Sequence, residues 1–202
     1  LAVFRKDRES ELRNRYSINS LLMFTLVTVS VLVFSTSNED ISSELCAGLF
    51  WVVIFFSSMA GLSRSFVSEE EKGTSLFLKL NASPWSVFAG KFIFNFLLVL
   101  SISAAVIILF LFFMGTSFII SEITVFIITV VLGNAGIAAA STIIAALISN
   151  ANAKTTLYPI LSFPILLPLI LVLLELTSFT LKPDPFYDWI PGAGILISYD
   201  II

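Results

Sequence analysis

Long apolar stretches separated by short polar breaks organise this chain. Residues 18–35, 45–62, 84–114, 122–148 and 156–176 are nearly unbroken runs of Leu, Ile, Val, Phe and Ala, and a further apolar run opens at Ala193. A bilayer core about 30 Å thick needs about 20 helical residues. The five runs therefore predict membrane-spanning helices, with 84–114 and 122–148 long enough to tilt or to project beyond the lipid. The last run, residues 193–202, climbs only about 15 Å at about 1.5 Å per residue, which predicts a sixth span truncated before it can cross. The fold class that follows is all-α integral membrane, with residues 1–202 forming one transmembrane domain.

The polar breaks differ in kind. Residues 1–16 place Glu9 and Arg13, then Glu11 and Arg15, at i,i+4 spacing, which supports a helix. Leu1, Phe4, Leu12 and Tyr16 fall roughly on one face, interrupted by Arg8. This predicts an interfacial helix on the membrane surface, against the alternative of a solvated tail. The chain opens on Leu1 rather than methionine, so its start is expected to be trimmed.

Composition supports the membrane reading. Hydrophobic residues make up 57% of the chain and charged residues 12%, against about 25% charged in an ordinary soluble domain. The distribution of the basic residues then sets an orientation. With the N-terminus inside, ten of the eleven Lys and Arg residues fall on inner segments and only Lys182 falls outside. The positive-inside rule thus predicts a cytoplasmic N-terminus.

Several functional classes lack their chemistry here. There is no histidine, which removes histidine-dependent metal, haem and acid–base sites. The single cysteine, Cys46, excludes an intrachain disulfide. Ala89-Gly90-Lys91-Phe92 lacks the earlier glycine and the Ser/Thr of a phosphate-binding loop. The chain is therefore not expected to be an enzyme, to hold a metal or to bind nucleic acid. Met23, Met59, Met114, Cys46 and the tyrosines are the only conceivable haem ligands, and methionines in spans usually serve packing.

Residues 63–83 form a polar connection. Ser68 and Glu71 have capping-box spacing, which predicts a helix start, with Glu69, Glu70 and Glu71 in a first turn that favours acids. Gly73 ends or bends that helix, Thr74 caps a second one (Ser75, Leu76 and onward to Leu80), and Ser83 caps the third span with Pro84 at its first position. The expected result is an ordered cytoplasmic loop that docks a soluble partner; a solvated hairpin is the plainer alternative.

Inside the spans, Pro159, Pro164 and Pro168 each remove a backbone donor and predict kinks, either static or part of a rearrangement during transport. Asn95 and Asn134 are intramembrane polar residues, either functional or simply paired between helices. Gly136 and Ala140 have the spacing for close helix approach, within the monomer or between subunits. Glu122 and Glu175, near the outer ends of their spans, read as interfacial anchors or as the rim of a lateral opening. Trp189, with Phe186 and Tyr187, suits the outer membrane interface.

The acidic cluster, Gly73-Thr74, the apolar helix, Ser83-Pro84 and Lys91 at the start of a long span together resemble the pattern of ABC type-2 permeases. The run Tyr158-Pro-Ile-Leu-Ser-Phe-Pro-Ile-Leu-Leu-Pro168 narrows the resemblance to the haem exporter protein B (CcmB) family of the cytochrome c maturation system. The resemblance implies a six-span permease in the bacterial inner membrane, a homodimer or hetero-oligomer. Its implied partners are a CcmA-like ATPase that hydrolyses ATP, a CcmC-like haem-handling subunit and a CcmE-like haem chaperone. Haem is the implied cargo, and residues 69–76 the implied ATPase contact. Family loops often carry an acid soon after the Gly-Thr pair; Ser75, Leu76 and Phe77 lack one, so the resemblance extends to docking and not to a particular ion pair. A type-2 permease exporting a lipid, glycan or drug is one alternative, and a non-transporting membrane scaffold is another.

Overall fold

A computed structural model describes residues 15–36, 41–71, 84–115, 118–148, 154–182 and 188–201. Six helices occupy these residues, and no strand occurs among them: α1 (Arg15–Thr36), α2 (Ser43–Glu71), α3 (Pro84–Phe113), α4 (Ile123–Ile148), α5 (Lys154–Leu181) and α6 (Ile190–Ile201). Helices are the natural outcome, because a backbone crossing lipid must satisfy its own hydrogen bonds. Four of them are long and apolar enough to span a membrane, within Ser43–Leu62, Trp85–Phe113, Ile123–Ile148 and Leu157–Leu181. Asn19–Ser35 and Ile190–Ile201 are shorter apolar helices.

Local chemistry explains the described ends. The Ser42 hydroxyl accepts from the Leu45 amide at 3.3 Å and its carbonyl from Cys46, capping α2. Pro84 opens α3 as expected. Gly115, at φ 52°, takes the left-handed conformation that turns the chain after α3. The amides of Ser121 and Glu122 donate to the Thr180 carbonyl, tying the start of α4 to the end of α5. Asp188 Oδ1 accepts the Ile190 amide at 3.1 Å and starts α6.

Three boundaries differ from expectation. The second span does not end at Leu62 with a new helix beginning at Ser68; α2 is continuous to Glu71. The segment between them contains no Gly or Pro, and its glutamates are good helix formers, so nothing interrupts propagation before Gly73. Ser68 is thus a helix-interior residue, and the three acids stand in the last turn rather than a first one. The fifth helix runs past the expected end at Leu176 to Leu181 and is not broken at any of its three prolines. The sixth begins at Ile190, because Pro191 is tolerated in a first turn where its missing amide has no intrahelical role. Residues 1–14, which carry most of the expected interfacial helix, and residues 72–83 lie outside the described residues.

The helices pack as α4 against α5 and α3, α2 against α5 and α3, α1 on the α2–α3 edge, and α6 on the α4–α5 edge. Burial separates inner from outer members: 67% of the α2 span and 56% of the α4 span lie inside, against 28% for α3 and for α5. Five aromatic side chains close one end. Phe50 contacts Trp51, Phe110, Phe118 and Phe126 at ring separations of 5.4, 5.5, 5.4 and 5.9 Å. Phe118, from the α3–α4 connection, is fully buried and anchors that connection to the core.

Candidate functional site

The polar groups that the apolar helices carry inward are candidates for function, because each is expensive in lipid unless paired. Along the antiparallel α3–α4 contact two such pairs form rungs. Asn95 Nδ2 donates to Thr142 Oγ1 at 2.9 Å, and Thr142 Oγ1 donates in turn to the Ala138 carbonyl at 2.7 Å. Ser103 Oγ donates to Asn134 Oδ1 at 2.8 Å. Both asparagines are buried. The rungs are eight residues apart on each helix, about 12 Å along the axis, which is the repeat an antiparallel register requires.

The opposite side of α4 is built differently. Gly133 lies under Trp51 and Leu173; a Cβ there would stand 2.7 Å from Trp51 Cη2 and 2.6 Å from Leu173 Cδ2. Trp51 Nε1 donates to Thr177 Oγ1 at 2.8 Å and so joins α2 to α5 above that glycine. Gly136 lies under Leu169, and a Cβ there would stand 2.8 Å from Asp200 Oδ1. Gly136 therefore serves contact within this chain, with α5 and α6. Beside it, Tyr199 Oη donates to the Ile165 carbonyl at 2.9 Å. Pro168 has no amide to give the Pro164 carbonyl four residues back, so the Tyr199 bond falls on the adjoining Ile165 carbonyl and not on the one the proline frees.

The expected site residues are distributed rather than gathered. Glu69, Glu70 and Glu71 end α2, while Gly73, Thr74, Ser75 and Leu76 fall outside the described residues. Pro159, Pro164 and Pro168 all turn to the exposed side of α5. Asn95 and Asn134 belong to the rungs, and the Asn134 Nδ2 has no hydrogen-bond partner among the described residues. Glu122 is exposed, and its carbonyl accepts the Phe126 amide, which makes it the cap of α4. Glu175 is exposed on α5. Trp189 is half-buried against the core. Met59, Met114 and Cys46 are packed within the core, and Met23 is exposed.

Sequence reasoning missed Ser103, Trp51, Thr177 and Asp200. Hydroxyls and a tryptophan in an apolar run look the same whether paired or not. Asp200 carried a usable signal, as the one charged residue of the α6 segment.

In comparison with known proteins, residues 1–184 match the family model described as CcmB protein. No curated protein and no solved structure matches the chain.

Proposed function

The chain belongs to the CcmB family, and from that membership we propose that it couples ATP hydrolysis on a CcmA-like partner to haem handling at the far side of the bacterial inner membrane. The family places it as a multi-pass membrane permease subunit of an ABC-type haem export system in cytochrome c maturation, not an enzyme itself. The proposed output is transport of haem or release of a haem-loaded CcmE-like chaperone, with a CcmC-like subunit alongside and the N-terminus in the cytoplasm.

The observation that carries the coupling reading is the length of α2. Its apolar span ends at Leu62, yet the helix continues to Glu71, about 13 Å of further rigid rise. A force applied at Glu69–Glu71 would act on the same helix that holds Trp51 against Thr177 and Gly133. The core between α2, α4 and α5 is closed by that tryptophan, which favours work by helix rearrangement over passage through a standing pore. The ten inner basic residues support the orientation.

The test uses the membrane complex. Glu69, Glu70 and Glu71 changed together to alanine should lower its ATPase activity and deplete c-type cytochromes while the subunit still accumulates. Phe66→Pro, which interrupts the extension, should uncouple the two in the same way. Normal ATPase activity and normal cytochromes in both variants would overturn the coupling reading. Deleting the gene without loss of c-type cytochromes would instead favour export of another substrate.

A further inference from the structure

Asp200 stands where a membrane protein least accommodates an acid. It lies ten residues into α6 from Ile190, about 15 Å of helix. The glycine beneath it, Gly136, lies thirteen residues into α4 from Ile123, about 20 Å. Leu169, the other side chain at that glycine, lies twelve residues before the end of α5 at Leu181, about 18 Å. These path lengths agree on a depth near the middle of a core about 30 Å thick.

The carboxyl is poorly provided for at that depth. Its Oδ1 is enclosed and has no hydrogen-bond partner among the described residues. The two helices packed against α6 offer no countercharge there. α4 has no charged residue from Ile123 to Ile148. On α5 the charges are Lys154 at the first residue and Glu175 toward the far end, with Lys182 just beyond. The neighbouring Tyr199 gives its hydroxyl to Ile165 instead. Asp200 is only partly covered, and the α6 positions beside it, Ile197 and Ile201, are exposed.

We propose that Asp200 is an intramembrane pairing site, which receives a Lys or Arg side chain from a transmembrane helix of a partner subunit packed on α6. An unpaired carboxylate in a low-dielectric interior is strongly unfavourable, and a hydrogen-bonded opposite charge is the remedy such sites use. A proton alone would neutralise the acid but would still leave its enclosed Oδ1 without a hydrogen-bond partner among the described residues. The inference rests on the membrane bundle and not on the ATP-coupling reading, and its test reads assembly rather than turnover.

A photo-crosslinking residue is placed at Ile197 or Ile201 in the complex assembled in its membrane, and the linked peptide is identified by mass spectrometry. The expected link is to an apolar helix of another subunit with a Lys or Arg in its middle third. Asp200→Asn should abolish the link while the chain accumulates normally. Changing the partner's base to alanine should give the same loss, and the double variant no further loss. The partner change leaves this chain intact, so it decides the matter if Asp200→Asn does not accumulate. Links only to lipid, to the same chain or to helices without a base would overturn the proposal, as would a link that survives removal of the partner's base.

Discussion

The two sides of α4 solve the problem of holding helices together in lipid by different means. Toward α3, association rests on polar rungs, Asn95–Thr142 and Ser103–Asn134. Toward α2, α5 and α6 it rests on missing side chains: Gly133 admits Trp51 and Leu173, and Gly136 admits Leu169 and Asp200. Lipid tails are as apolar as the helices, so burial of Leu or Ile gains little between spans, and close packing or hydrogen bonding must supply the affinity. Hydrogen bonds fix register at separated points and tolerate small shifts between them. A glycine contact has no such slack, because its energy depends on surfaces meeting over their whole area. The glycine side is therefore the one where substitution should cost most, and it is also the side that carries the α2 extension and the unpartnered acid.

The largest loss is expected from Trp51→Ala, which empties the glycine side and removes the bond to Thr177. Thermal unfolding in detergent should register about 3–5 kcal/mol, the range for large core aromatics. Gly133→Ala follows, at about 1–3 kcal/mol for overpacking; its Cβ meets Trp51 and Leu173 well inside contact distance. A Gly133→Ala protein as stable as wild type would mean that α2 and α5 can withdraw from α4 freely. On the other side, Ser103→Ala should cost only about 0.6 kcal/mol and at most about 2, the span measured for interhelical bonds in membranes. Combining it with Asn95→Ala should give additive losses, because the rungs are about 12 Å apart; strong coupling would show that α3 and α4 separate as one unit. A similarly small change, about 0.5–1 kcal/mol for one bond to a backbone carbonyl, is expected from Tyr199→Phe. It should be visible as faster proteolysis near α6 before any shift in overall unfolding.

Element existence was legible because span length is dictated by the bilayer, not by tertiary contacts: every described helix was expected, and α3 starts at the predicted Pro84. The boundary errors share one cause. Ser68–Glu71 and Thr177–Leu181 carry residues that serve equally well at a cap or inside a helix, and the adjoining helix had already met the cost of nucleation. Asn95 and Asn134 were recognised as intramembrane polar groups, and Thr142 and Ser103 were not, because an asparagine is conspicuous in an apolar run and a hydroxyl can bond its own helix. The three prolines lie inside the fifth apolar run, and α5 contains all three; only the packed bundle brings Tyr199 to the Ile165 carbonyl.

Sequence alone therefore determined the apolar solvent, the helical class and the family pattern, since each depends on hydropathy or on local motifs. Tertiary structure decided the rest. It assigned Gly133 and Gly136 to contacts within this chain, turned the three prolines to the exposed side and joined the acidic turn to α2 as one continuous helix. It also brought Asp200 against Gly136, on a helix with no charge to offer. These are properties of which faces meet, and apolar helices that are hydrophobic all round carry too little directional pattern in sequence to say which face meets which.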